Sequence, residues 1–512
     1  MPRFTKEAKE IFDLIWYKAD IEQSEIISKG LTDLSDRTFA KIWTSFYYFM
    51  FFRPTLALLD LKEAKELNFI KQDSCNSFFI NTLYFWYNAG WNGPPVSLDL
   101  AKEYYKDLVS WYNQLEYYDD WEKYFCEGLF YLSKGWYSAT FEANLEEAVL
   151  FVKKTKETFR SIPIDNEYLS IVHGNLNLAV FQRLAGYFDE AEKNLKMATQ
   201  EAKKYNTLWE ELPLRQLEYL YIQKGELQKA IECTENAYII SKKFNYYLGI
   251  YLSLGIKGDL FYEEGKYNKA LESYQESLKY RKQYNDPLEI FKGYVNIFFL
   301  LYQNYKRTKE KEHFKKTEEI LLELKKFNEQ YPDDKTIKNM TKYSEARLLK
   351  YGNITKQAKA VLLFEELMKI YPNNVDIVKE YLELLFDDFL KSEDQDTIDK
   401  IDALMKKVFS FPLFFSSITN FVHQQIIIAQ YQYFIKNDIE SAFKIINDAN
   451  EKILPLNIEH YSSQLEHELI NFKNNRSIWE KADYSVKERI LKSEIDKYIQ
   501  DGLRVRNEYN IY

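Results

Sequence analysis

Cysteine, glycine, proline and histidine are all scarce in this 512-residue chain, which has 3, 15, 11 and 5 of them. So few turn formers, beside 46% hydrophobic and 29% charged residues, exclude a collagen-like, low-complexity or turn-rich β protein and point to a soluble, mostly helical one. Cys75, Cys126 and Cys233 lie far apart without paired spacing, which excludes a disulfide framework and fits a reducing, cytoplasmic setting. Long apolar runs are missing too. The longest, Ile42 to Phe52, stops at Arg53-Pro54 after 11 residues, too short to span a bilayer, so no membrane insertion is expected. The start, Met1-Pro2-Arg3-Phe4-Thr5-Lys6-Glu7, meets charge at once and reads as no signal peptide. With 69 Lys and Arg against 78 Asp and Glu, the net charge of -9 argues against nucleic acid as the main ligand.

Catalytic and metal motifs are missing as well. The chain has no Gly-x-x-x-x-Gly-Lys-Ser/Thr loop, no Gly-x-Gly-x-x-Gly and no Gly-x-Ser-x-Gly. His467-Glu468-Leu469-Ile470-Asn471 has Asn where a zinc helix needs its second His, and His460 lies two turns away. Carboxylate pairs such as Glu263-Glu264 and Asp387-Asp388 fall where a solvated helix face puts them. The expectation is a non-enzyme with no cofactor and no metal.

What the chain does have is one helix ending written four times: Lys203-Lys204-Tyr205-Asn206, Lys242-Lys243-Phe244-Asn245, Arg281-Lys282-Gln283-Tyr284-Asn285 and Lys325-Lys326-Phe327-Asn328. The asparagines step by 39, 40 and 43 residues, so one structural unit recurs. Lysine complements the negative end of a helix, and asparagine tolerates the left-handed conformation that stops it. Aligned on these, Gly186, Gly225 and Gly265 mark a turn, followed by Phe188, Leu227 and Tyr267 and then Ala191, Ala230 and Ala270. A second small residue follows at Ala198, Ala237 and Ser277. Small residues let two helices approach while the large ones fill the seam between units.

The Gly-x-aromatic-x-x-Ala pattern of residues 170 to 285 resembles the tetratricopeptide repeat (TPR). It departs in having no Trp at the start of the first helix and in units of about 40 residues instead of 34, as in longer TPR-like units of motor light chains and bacterial signal-sensing regulators. Looser matches are Asn437, Ile439, Ala442, Ile446 and Ala449, and Ala360, Phe364, Leu367 and Pro372. The resemblance implies an all-α right-handed superhelix, an α-solenoid of about twelve hairpins. Residues 1-164 are divergent, Trp-rich hairpins, 165-332 the clearest units, 333-455 further hairpins, and 456-512 capping helices with an apolar stripe through Val486, Ile490 and Ile495.

TPR proteins bind partners in a groove lined by the first helix of each hairpin. Carried over, the groove positions include His173, Asn177 and Arg183, then Arg215 and Tyr219, then Asp259 and Tyr262. The Lys and Asn clamp that grips C-terminal carboxylates is replaced here by Leu176, Val180, Gln216, Leu252 and Ile256. The implied function is a cytoplasmic scaffold or adaptor holding a peptide segment or protein partner in the groove. The alternative is a ligand-sensing regulatory subunit that acts through a separate effector, since no effector domain is legible. Eight of the nine tryptophans precede residue 210. They read as core, with Trp91 in its Gly and Pro-rich loop as a candidate contact instead.

Overall fold

The computed structural model describes residues 5–50, 54–89, 97–117, 119–142, 144–163, 168–263, 265–371, 374–392, 394–409, 418–454, 462, 465–470 and 472–473. Trp91, Glu264, His460 and the charged stretch after residue 473 lie outside them. The described residues form eleven consecutive helical hairpins. The first four are α1 (Lys6–Asp13, continued by a π turn, Leu14–Lys18) with α2 (Ile21–Gly30), α3 (Leu34–Met50) with α4 (Pro54–Lys71), α5 (Ser74–Ala89) with α6 (Leu98–Tyr112), and α7 (Asp120–Phe141) with α8 (Leu145–Arg160). Then come α9 (Asn175–Leu184, entered through a π turn, Leu169–Gly174) with α10 (Phe188–Lys204), α11 (Glu211–Lys224) with α12 (Leu227–Lys243), and α13 (Tyr247–Glu263) with α14 (Tyr267–Tyr284). The last four are α15 (Pro287–Thr308) with α16 (Lys311–Gln330), α17 (Lys335–Leu349) with α18 (Ile354–Ile370), α19 (Val375–Ser392) with α20 (Gln395–Phe409), and α21 (Ile418–Phe434) with α22 (Ile439–Ile453).

The turn chemistry follows the local rules. Gly186, Gly225 and Gly265 have φ of 85°, 73° and 72°, a left-handed conformation that glycine adopts without strain. After each, an N–H reaches back five residues, as in Tyr187 N to Gln182 O, Glu226 N to Tyr221 O and Lys266 N to Phe261 O, each 2.8 Å. These bonds satisfy carbonyls that a helix end leaves open. Asn206, Asn245 and Asn285 are left-handed too, with φ of 52°, 52° and 60°. The fourth asparagine differs. Asn328 lies inside α16, which runs on to Gln330 and stops before Pro332, so proline, not asparagine, ends that unit. Ala191, Ala198, Ala230, Ala237 and Ala270 are fully buried, as close helix pairing requires.

Successive first helices touch: α3 meets α5, α5 meets α7, α9 meets α11, and α15 meets α17. No pair of successive second helices packs to that extent among the described residues. The first helices therefore form the inner side of the curve, and the array is an all-α, TPR-like solenoid.

Candidate functional site on the inner face

The inner face is not open along its whole length. In the N-terminal half α1 turns inward and fills it. Phe12 meets the rings of Trp43, Trp121 and Phe125 edge-on at 5.0 to 5.2 Å, and Trp16 stacks on Phe46 at 4.7 Å. The last carbonyls of α1, which the helix itself cannot satisfy, are taken up from far along the chain. Trp209 Nε1 donates to Ile15 O at 2.9 Å, and His173 Nε2 pairs with Trp16 O at 3.2 Å, which requires a proton on Nε2. Burying Ile11, Phe12, Ile15 and Trp16 at roughly 1.5 to 3 kcal/mol each makes α1 a permanent part of the core, not a removable plug.

The tryptophans among the described residues are accordingly core residues. Trp16, Trp43, Trp86 and Trp209 are buried, and Trp111, Trp121 and Trp136 are partly buried against the same cluster. His173 belongs there too. It is 3% exposed between Trp16 and Trp209, and burial pulls its pKa down to about 4 despite the Trp16 carbonyl. It is a neutral core donor, closed off from any groove. Asn177, one turn on, gives its Nδ2 to His173 O at 2.8 Å.

Beyond α15 the inner face closes a second time, through charge. Lys306 of α15 binds Glu383 of α19 at 2.8 and 2.9 Å, across the intervening hairpin. Lys350 binds both Glu380 and Glu383, Tyr302 Oη donates to Glu380 at 2.9 Å, and the Arg347 guanidinium stands 3.3 Å from Glu380. Burial alone would raise the Glu383 pKa, but Lys350 and Lys306 outweigh it and hold it at about 2. Burial likewise opposes the charge on Lys350, and Glu380 and Glu383 hold it well above the usual lysine range.

Between these two closures lies a window formed by α9, α11 and α13. Arg183, Gln216, Tyr219, Gln223, Leu252 and Tyr262 are each partly exposed there. Arg183 Nη1 donates to Gln223 Oε1 at 3.2 Å and Nη2 to Gln216 Oε1 at 3.5 Å, while its Nε has no hydrogen-bond partner. Burial lowers its pKa to about 10, against the pull of Tyr219, so it stays a cation at neutral pH. Tyr262 faces Phe299 edge-on at 6.3 Å, extending the aromatic surface toward α15.

Of the seven groove positions carried over from the repeat, the structure thus brings Arg183, Tyr219 and Tyr262 to this window. Arg215 and Asp259 are placed differently, at 2% and 5% exposure. Arg215 turns into the array to bind Glu211 and reaches Ser253 of α13 at 3.3 Å, and Asp259 accepts from Tyr274 Oη within its own hairpin. Gln223 was not among the candidates, although it is the next turn of the stripe through Gln216 and Tyr219. The Lys306 and Glu383 link was missed too. Its signal was a lysine and two glutamates on otherwise apolar helix faces, as in Ile377, Glu380, Tyr381 and Leu384.

Among the described residues no cluster of three or more His, Cys, Asp or Glu could hold a metal ion, and no helix is long and apolar enough to cross a membrane. No family model and no curated protein matches the chain. Among solved structures it is similar to the apo form of RapI, at 13% identity over 88% of this chain and 98% of that one, with a TM-score of 0.43. It is also similar to the apo quorum sensor NprR from B. thuringiensis (14% identity, 78% of this chain, 97% of that one, TM-score 0.49). A third is aspartyl phosphate phosphatase F from Bacillus subtilis (14%, 78%, 93%, 0.42). With hairpins, left-handed glycine turns and an inner face of first helices all in place, the chain is a TPR-like helical repeat protein.

Proposed function

We propose that the chain is a non-enzymatic scaffold that holds a peptide segment or protein partner in the window of α9, α11 and α13. The observation that carries this reading is that Arg183, Gln216, Tyr219, Gln223, Leu252 and Tyr262, on three successive first helices, stay partly exposed between the α1 aromatic core and the Lys306, Lys350, Glu380 and Glu383 network. Tyr219, Tyr262 and Leu252 supply apolar area there, and Arg183, Gln216 and Gln223 supply polar contacts that fix a register.

A second reading, a ligand-sensing subunit acting through a separate effector, is favoured by the link from Lys306 to Glu383. It joins hairpins that are not neighbours, so a ligand that changes the curvature of the array has to load it.

The test is selection of binders from a displayed library of random 12-residue peptides, followed by titration of a selected synthetic peptide. Tyr219→Ala and Tyr262→Ala are each expected to weaken it by about 2 kcal/mol or more. Leu59→Ala, on an exposed position of α4, should leave it unchanged. Equal affinity for all three would move the site elsewhere.

A further inference from the structure

Cys75 and Cys126 are 51 residues apart in sequence, yet their sulfurs lie 4.0 Å from each other. Cys75 is the second residue of α5 and Cys126 the seventh of α7, so the contact joins the first helices of two successive hairpins. Both are fully buried. A disulfide needs about 2.0 Å between sulfurs, so closure means drawing them together by roughly 2 Å. A change of side-chain rotamer moves a cysteine sulfur on that scale without moving the backbone.

Cys233, the remaining cysteine, sets the contrast. It sits in α12, and burial, reinforced by Glu218, pushes its thiol up to about 12. Cys75 instead has a second thiol beside it and occupies the first turn of α5, which Asp73 caps by accepting from Asn76 N at 2.8 Å. That turn follows the end of α4, whose last turn leaves Phe69 and Ile70 exposed. Helix ends beside exposed connections open locally more readily than helix centres, which gives a small oxidant a way in.

We propose that Cys75 and Cys126 are a dithiol modification site that closes to a disulfide on two-electron oxidation and ties α5 to α7. With hydrogen peroxide as oxidant, one thiolate attacks a peroxide oxygen, the O–O bond breaks, and the first water leaves with a sulfenic acid behind. The second sulfur attacks the sulfenic sulfur, the S–O bond breaks, and the second water leaves. Two electrons pass from the sulfurs to the peroxide, and both thiol protons end on the waters.

The experiment uses the full chain, treated with hydrogen peroxide, then unfolded in urea and alkylated with N-ethylmaleimide for intact mass and peptide mapping. Two of the three alkylation sites should disappear, a peptide joining Cys75 to Cys126 should appear, and dithiothreitol should restore both sites. Cys233→Ser should keep the linkage. Cys75→Ser and Cys126→Ala should each abolish it, read only on variants whose circular dichroism matches the parent. The proposal is overturned if all three thiols stay alkylatable at a peroxide dose that oxidises glutathione in the same tube. It is equally overturned if oxidation stops at sulfinic acid or if the cross-link found involves Cys233.

Discussion

Trp209 holds Ile15 by a hydrogen bond of 2.9 Å across 194 residues of sequence, fastening the first helix to the sixth hairpin. Trp209→Phe keeps the ring packing but strands the Ile15 carbonyl, a loss of about 1 to 3 kcal/mol. Hydrogen exchange should show the amides of residues 6 to 18 losing protection in this variant while α15 and α16 keep theirs. Unchanged exchange in α1 would mean that the bond does not hold the helix.

Acid should loosen the same contact. The His173 pKa of about 4 lies below the usual 6.5, chiefly through burial, so the unfolded chain takes up the proton first as pH falls. Its contribution is complete above pH 6.5 and is lost between 6.5 and 4, about 3 kcal/mol in all. His173→Gln keeps an N–H donor without the titration. Urea midpoints from pH 7 to pH 4 should therefore fall less steeply for it than for the parent.

Glu468 works in the opposite direction. Burial raises its pKa to about 7, with Gln430 Nε2 donating to its carboxyl at 3.2 Å. The folded form prefers the protonated acid, so stability is full below pH 4.5 and is lost as pH rises through 7. Glu468→Gln should raise the melting temperature at pH 8 and leave it unchanged at pH 4. A rise of equal size at both would assign the effect to packing instead.

The buried ion network makes a prediction about salt. Lys350→Met leaves Glu380 and Glu383 short of a counter-charge and should cost about 3 to 5 kcal/mol. Because these pairs are buried, raising NaCl from 0.05 to 0.5 M should change that difference little. Lys316→Met removes only the exposed pair with Glu312, so its melting temperature should match the parent's. A strong salt dependence of the Lys350 effect would place the network in solvent.

Packing inside a hairpin can be tested at Gly258. Alanine favours a helix over glycine by about 1 kcal/mol, yet a Cβ here would stand 2.6 Å from the Tyr274 ring. Overpacking at about 1 to 3 kcal/mol should win, so Gly258→Ala lowers the melting temperature. Ala270→Leu should do the same, and Lys243→Leu, at an exposed position, should not.

How much of this was legible follows from how local each feature is. The glycine turns and three asparagine stops were readable because a positive φ is decided by the residue itself, and Asn328 misled because Pro332 ends its helix later. Tyr219 and Tyr262 followed from repeat position alone. Arg215 and Asp259 did not, since whether such a position faces the window or the array depends on Glu211, Ser253 and Tyr274, which repeat spacing does not place. The inward turn of α1 was hidden altogether, because its partners Trp43, Phe125, His173 and Trp209 are spread over 166 residues with no shared pattern.

The bond between Ile15 and Trp209 also sets a timetable. On the ribosome the aromatic face of α1 emerges before its partners and finds both His173 and Trp209 only after nearly two hundred further residues have been made. At roughly 5 to 20 residues per second that interval is on the order of 10 to 40 seconds. Throughout it Phe12 and Trp16 lack part of their burial site, so this helix stays open to chaperones and proteases for that time. The N-terminal half then closes only when its sixth hairpin begins to form.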